Sequence, residues 1–343
     1  MPHVHNGAKV LVTGASGFIG SWVVRYLLER DYVVRAAVRS PEKGEYMKRL
    51  HESYGDYFEY VVVPDASTSG AFDDVLEGID AVEHHAAPIT DDPDDFVDAA
   101  ISGTTSLMES ILRYGRSVKR VIVTSSGAAL VEPTKEPGYV YTEADWGDYS
   151  VREVQLKGAK ADTVQKYRAS KTLAERAAWD FVDAHKDKIT WDLVTVLPTI
   201  MVGPQVYGPV IHQTESLQDV NYSNQLLYNS ILHERSPSDI GGNWVDVRDV
   251  AEIHVDLLEK RSAAGERYIV SAGVHSWQEL YDLLNASIPP IEGIPRGEFG
   301  NYTRGRPPYV FSSLKVIKLL GFRFRALGES ARDAITSIRE RGF

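Results

Sequence analysis

Short apolar runs alternate with longer segments of helical period from the start of the chain to Pro198. KVLVTG is followed by FIGSWVVRYLLERD, YVVRAAVR, the YMKRLHESYG stretch and FEYVVVPD. Runs of strand length separated by helical segments predict parallel strands joined by helices. The series continues through DAVEHHAA, DDFVDAAISGTTSLMESILRYG, RVIVTSS, a helix opening at Tyr167 and TWDLVTVLP. Strands with few polar breaks are buried on both faces, so the expected fold class is α/β: a doubly wound parallel sheet with helices on either side.

After Pro198 the rhythm changes. Residues 199–242 gather Gly203, Pro204, Gly208, Pro209, Pro237, Gly241 and Gly242 around one helical stretch, and 285–311 contain IPPIEGIPRG. Between them WVDVRDVAEIHVDLLEK and GERYIVSA return to helix and strand character. The expected division is a main domain over 1–198 to which 243–272 return, with 199–242 and 273–343 forming a smaller lobe and closing helices.

Composition narrows the chemistry. The chain has 343 residues, 43% of them hydrophobic, enough for a large core. Its 37 basic and 48 acidic residues leave a net charge of -11, which repels a phosphate backbone, and no basic stripe offsets it; nucleic acid is excluded as a partner. The absence of cysteine excludes disulfides, thiolate metal sites and a catalytic thiol, so redox chemistry must come from a bound cofactor. MPHVHNGAKVLVTG lacks a basic and apolar leader pattern, and no apolar run approaches the roughly 18 residues that span a membrane, so the expectation is a cytoplasmic protein without a membrane partner.

KVLVTGASGFIG places Gly14, Gly17 and Gly20 between a strand and a helix. Glycine serves there where the backbone turns sharply, where a pyrophosphate approaches and where helix and strand pack closely. The helix N-terminus offers free N–H groups to phosphate, so Ser16, Phe18 and Ile19 join the glycines as candidate cofactor contacts. The end of the second strand selects the nucleotide, because an acid there binds a ribose 2′-hydroxyl and an arginine a 2′-phosphate. Arg39 stands at that end with Lys43 in the next turn, favouring NADPH; Arg35 lies within the strand. Asp65, with Ala66 beside it, closes the third strand, where its carboxylate suits either an adenine amino group or a turn.

Tyr167 and Lys171 lie four apart in YRASK, on one face of a helix. A neighbouring ammonium makes a phenol a better proton donor, as general acid catalysis requires. Taken together, TGASGFIG, VTSSGAA, YRASK and LPTIMVGP resemble the extended short-chain dehydrogenase/reductases. VRAAVRS, HHAAP, WVDVRDVAEIH and LLGFRFRALGESARDAI resemble the dihydroflavonol-reductase-like group, including fungal NADPH-dependent methylglyoxal and aldehyde reductases. The resemblance runs over nearly the whole chain.

It implies that Tyr167 protonates a substrate carbonyl oxygen, that Lys171 assists it and bonds the nicotinamide ribose, and that Ser126 polarises the same oxygen, with Ser125 turned to the other face. Two donors converging on a developing oxyanion stabilise the transition state, and the cofactor carries the redox step. The resemblance also implies cofactor contacts from Ala86, Ala87 and Pro88 after the fourth strand, from Thr124, and from Pro198 and Val202. Many members carry an Asn where this chain has Ala100, and 132–166, long and polar, follow no clear register. Ile89, Val164, Tyr207 and Trp244 are candidate substrate-pocket residues, each equally readable as core.

The expected activity is NADPH-dependent reduction of a small-molecule ketone or aldehyde by a monomer or homodimer. The alternatives are a nucleotide-sugar epimerase or dehydratase of the same superfamily and a non-catalytic NADPH-binding sensor. His84 and His85 carry no metal expectation, because neighbouring strand residues point to opposite faces and no partner ligand is spaced nearby in the sequence.

Overall fold

The computed structural model describes residues 4–86, 95–206, 220–236, 239–302 and 304–342. Contacts divide the chain into two compact units: Met1–Lys135, Glu143–Leu197 and Ala251–Tyr268 in the first, and Glu136–Thr142, Pro198–Val250 and Ile269–Phe343 in the second. The pattern predicts that 243–272 return to the main domain, and the return observed covers Ala251–Tyr268. GNWVD at Gly242–Asp246 is strand-like in pattern, but it pairs within the second unit.

The seven-stranded sheet is built from β1 (Lys9–Thr13), β2 (Val33–Val38), β3 (Phe58–Val62), β4 (Ala81–His84), β5 (Arg120–Thr124), β7 (Asp192–Pro198) and β10 (Glu266–Val270), in the order β10-β7-β5-β4-β1-β2-β3. The pairings β1–β2, β2–β3, β1–β4, β4–β5 and β5–β7 are parallel. The chain runs outward one way from β1 to β3 and the other way from β4, so the order reverses between β1 and β4. Ligands of such sheets bind beyond the C-terminal strand ends at that reversal.

Both faces are covered, which is why the strands read as apolar runs. On one face Leu11, Val82, Val121 and Leu193 pack with Leu107, Met108 and Ile111 of α3 (Phe96–Tyr114) and Ala178 of α5 (Thr163–Ala184). Val10, Val12, Ile122 and Val194, turned the other way by strand alternation, are also fully buried. The remaining helices of this unit are α1 (Phe18–Glu29), α2 (Pro41–Leu50), α4 (Asp148–Lys157) and most of α7 (Val247–Glu259).

Two buried arginines fix the interior. Arg120 is fully buried and grips Asp192 through Nε (2.6 Å) and a second nitrogen (3.2 Å). Its remaining nitrogen donates to the carbonyls of Leu258 and Lys260 at the end of α7, satisfying acceptors that a helix C-terminus leaves open. Arg267 holds both oxygens of Glu175 (2.8 and 3.2 Å), donates to the carbonyls of Glu143 and Asp145, and stacks on Trp146 at 3.7 Å.

The second unit contains a sheet of β11 (Gly273–His275), β9 (Gly242–Asp246) and β8 (Ile200–Val202), and a parallel pair of β6 (Tyr139–Tyr141) and β12 (Tyr309–Phe311). Its core joins Trp244, Leu227, Tyr228 and Ile231 to Leu280, Leu284, Ala331 and Ile335. These side chains come largely from α6 (Tyr222–Leu232), α8 (Trp277–Asn285) and α10 (Leu327–Arg339); α9 (Leu314–Leu320) completes the unit. An apolar cavity of about 170 Å³ within it is bordered by Ile200, Leu226, Trp277 and Leu327. Among the described residues, no helix is long and apolar enough to cross a membrane.

Candidate active site

The glycine loop sits where the strand order reverses. Gly14 has φ +63°, and a side chain there would place Cβ 2.8 Å from the amide nitrogen of Ala86. Only glycine suits both the left-handed backbone and that close approach. Gly17 precedes α1 as its N-cap and supplies no capping side chain. The first N–H groups of α1 are therefore left for an external acceptor, with the helix dipole adding positive potential. Ser16, Phe18 and Ile19 are half-buried around this terminus, and Gly20 is buried against the loop.

Arg39 follows β2 and is exposed; Lys43 is half-buried in the first turn of α2. Burial, and after it the charge of Arg39, hold the Lys43 ammonium below its ordinary range. Neither cation has a carboxylate partner among the described residues. Two neighbouring cations without an acid form a receptor for a dianion. Arg35, by contrast, is committed to Glu59 (2.5 Å) and to the carbonyls of Val75 and Glu77.

Asp65 takes the turn role. Its carboxylate accepts from the Ser67 amide (2.8 Å), the Ser67 hydroxyl (2.6 Å) and the Thr68 hydroxyl (3.1 Å), and these bonds hold its pKa below the usual range. Ala66 is half-buried inside that turn.

The two serines after β5 have different surroundings. Ser125 is buried, and its hydroxyl donates to Glu175 at 2.6 Å, inside the network of Arg267 and Thr195. Ser126 is half-buried and caps the 3-10 turn Gly127–Leu130, its oxygen accepting from the Ala128 amide at 3.1 Å. That bond uses the oxygen as acceptor, so the Ser126 proton stays available for donation.

Asp162 caps α5 by accepting from the Gln165 amide, so the helix begins at Thr163, a turn before the YRASK motif. Thr172 on this helix reaches the carbonyl of Ala129 at 3.3 Å and binds α5 to the turn that Ser126 starts. Tyr167 is 43% exposed, and its hydroxyl has no partner among the described residues. The Lys171 ammonium lies 5.8 Å from the centre of the Tyr167 ring, and it has no carboxylate partner among the described residues.

Other sequence candidates divide. Ala86 lies against Gly14, while Ala87, Pro88, Ile89 and Tyr207 lie outside the described residues. Val164 is exposed at the start of α5. Pro198 and Val202 are buried at strand ends, Val202 in the second unit's core, and Trp244 is also a core residue of that unit.

The histidine pair has surroundings that local spacing does not show. His84 and His85 do face opposite ways: His84 meets the Thr13 hydroxyl at 2.8 Å, and burial lowers its pKa to about 4. But His85 has partner groups nearby. It gathers with Glu83, two residues earlier on the same face, and with His254 of α7. Burial raises the Glu83 carboxyl and pushes the His85 imidazole well below its ordinary range. The hydroxyl of Thr124, read from the sequence as a cofactor contact, lies between the two imidazoles. The spacing of Glu83 and His85 was a visible signal, whereas His254 is far along the chain.

The model of the NAD dependent epimerase/dehydratase family matches residues 10–271. The chain belongs to this family. Its relatives include the ketoreductase azaE of Aspergillus niger, 36% identical over 97% of this chain and 98% of the relative. The NADPH-dependent methylglyoxal reductase GRE2 of Saccharomyces cerevisiae is 36% identical over 96% of this chain and 98% of that protein. Among solved structures, the Candida albicans Gre2 complex with NADPH aligns with a TM-score of 0.86 at 32% identity, covering 98% of this chain and 100% of that one. This membership bears out the resemblance drawn from the motifs of the epimerase/dehydratase chain.

Proposed function

We propose that the chain is an NADPH-dependent carbonyl reductase that converts ketones or aldehydes to alcohols, acting as a monomer or homodimer. The observation that carries this reading is the exposed Tyr167 hydroxyl, without a partner among the described residues, on a helix that also presents Lys171, without a carboxylate partner among them, and packs on the turn started by Ser126. The reductase names of relatives aligned over almost the whole chain support it.

The residues fit the cofactor. The uncapped start of α1 and the close approach at Gly14 suit a pyrophosphate, and Arg39 with Lys43 suits the 2′-phosphate that distinguishes NADPH from NADH. Ala86 lends a small surface beside the loop. When bound, NADPH supplies the hydride.

The protein's part is to orient the carbonyl and manage the proton. Ser126 donates a hydrogen bond to the substrate oxygen, and Tyr167 gives that oxygen its proton as negative charge develops there. Lys171 compensates the charge left on the phenolate and bonds the nicotinamide ribose. Ser125 remains a positioning residue through Glu175 and Arg267.

Mixing the protein with NADPH and a panel of aldehydes, diketones and aryl ketones tests the proposal through loss of reduced-cofactor absorbance and matching alcohol. A Tyr167→Phe variant should lose on the order of 10²–10⁴-fold in kcat while its NADPH affinity stays close to wild type. Absence of turnover on every carbonyl would remove the reductase reading. An epimerase would consume no cofactor, so net NADPH loss separates the two activities.

A further inference from the structure

We propose that Glu83, His85 and His254 form a binding site for one divalent transition-metal ion of the zinc type, separate from the residues assigned to carbonyl reduction. Their donor atoms lie within 4.8 Å of one another. Glu83 and His85 project from one face of the β4 end, and α7 brings His254 to them.

Thr124 takes the outer ring nitrogen of each histidine, and the other ring nitrogen lies on the inner side of the cluster. The Thr124 hydroxyl lies 2.7 Å from Nδ1 of His85 and 3.2 Å from Nε2 of His254. Without a metal, His254 Nδ1 donates to Glu83 Oε2 at 2.8 Å; an ion that displaces this proton leaves the Thr124 oxygen to accept from both outer ring N–H groups and frees lone pairs on His85 Nε2 and His254 Nδ1. Both of these atoms face the same carboxylate oxygen, Oε2 of Glu83, at 3.7 and 2.8 Å. Zinc bonds of about 2.0–2.1 Å in tetrahedral geometry set ligand atoms roughly 3.3 Å apart, between the two distances observed. Donation of the outer ring N–H to an oxygen acceptor, the part Thr124 would play, is also the usual arrangement around metal-bound histidine.

Among the described residues, two donor atoms of the cluster have no hydrogen-bond partner: Glu83 Oε1 and His85 Nε2. Their side chains are 0% and 2% exposed, away from bulk solvent. Leaving such groups unmatched in the interior is costly, and a cation would satisfy both. Arg120 also bears on Glu83, but its guanidinium is already held by both oxygens of Asp192. Two imidazoles and one carboxylate select zinc, cobalt, nickel or copper over magnesium and calcium, which prefer oxygen. The second carboxylate oxygen or a water completes the coordination. A bound ion would tie β4 to α7 directly beneath the strand end that leads into Ser125 and Ser126.

The test offers Zn²⁺ and Co²⁺ to the full chain, both natively folded and during refolding because the donors are buried. Elemental analysis after dialysis, visible absorption of the Co²⁺ form and thermal melting are the readouts. The expected results are one equivalent of metal, an intense four- or five-coordinate Co²⁺ spectrum and a raised Tm. His85→Ala removes a ligand whose inward nitrogen has no partner without the metal, and should weaken binding by at least ~10-fold. Glu83→Gln should do the same if it folds. No stoichiometric uptake under either protocol, a weak six-coordinate Co²⁺ spectrum, or equal uptake by wild type and His85→Ala would each overturn the proposal. The last outcome would place the ion on other histidines.

Discussion

Arg120 opens one strand of the main sheet and Arg39 follows another, yet their surroundings have little in common. Arg120 opens β5, is fully buried and has acceptors around its guanidinium: both oxygens of Asp192 and the carbonyls that end α7. Arg39 follows β2, is exposed and has Lys43 as its charged neighbour instead of an acid. The same side chain joins elements at one end of the sheet and is left open for a ligand at the other. What distinguishes them is which strand end they occupy, because ligands of open α/β sheets bind beyond the C-terminal ends.

The largest effect should come from the buried member. Arg120→Met leaves Asp192 as a buried charge without its partner and should lower stability by about 3–5 kcal/mol, measured by urea unfolding. Any folded fraction should keep the wild-type preference between NADPH and NADH. A loss below about 1 kcal/mol would mean that the interior does not depend on this pairing.

His51 sharpens the comparison, since it is buried and its Nε2 has no partner. Burial, with a smaller contribution from Arg25, lowers its pKa to about 4. The unfolded chain takes up this proton near the ordinary value of about 6.5, and the folded chain takes it up only near 4. The contribution is therefore complete above pH 6.5 and is lost as pH falls toward 4, amounting to about 3 kcal/mol. His51→Phe keeps an aromatic ring against Phe58 and should flatten the acid limb of the stability profile. Some slope should remain, because His84 and His275 are lowered to about 4 in the same way. An unchanged profile would show that His51 titrates alike in the folded and unfolded chain.

Arg39→Ala should have the smallest effect on folding, within about 0.5 kcal/mol. On function it should raise the NADPH Michaelis constant roughly ten- to hundredfold, as expected for lost charge-assisted bonds, and leave that for NADH nearly unchanged. Parallel kinetics with the two cofactors check it. Equal weakening of both would break the contrast with Arg120.

Much of the first unit was legible because its information is local. Strand runs, the glycine spacing and the four-residue step from Tyr167 to Lys171 each depend on neighbours in sequence. The start of α5 was missed by a turn because Asp162 caps it inside a polar stretch whose register was unclear. β6 was missed because Tyr139–Tyr141 has too few residues for periodicity and pairs with distant Tyr309–Phe311. His254 meets Glu83 across 171 residues, which no local pattern can announce. Asp65 shows the other limit: its bonds to Ser67 and Thr68, which build the turn, are visible only in three dimensions.

Gly20 shows how a residue can be essential to a binding loop through what it lacks. A Cβ there would fall 2.3 Å from the carbonyl oxygen of Gly14, an atom of the backbone that cannot swing aside as a side chain would. In a saturation scan of the chain, position 20 should stand out as nearly intolerant, with alanine almost as damaging as tryptophan. Such a profile, flat across all nineteen replacements, is the genetic signature of a steric limit set by main chain, and it differs from the graded profile of a residue valued for its chemistry.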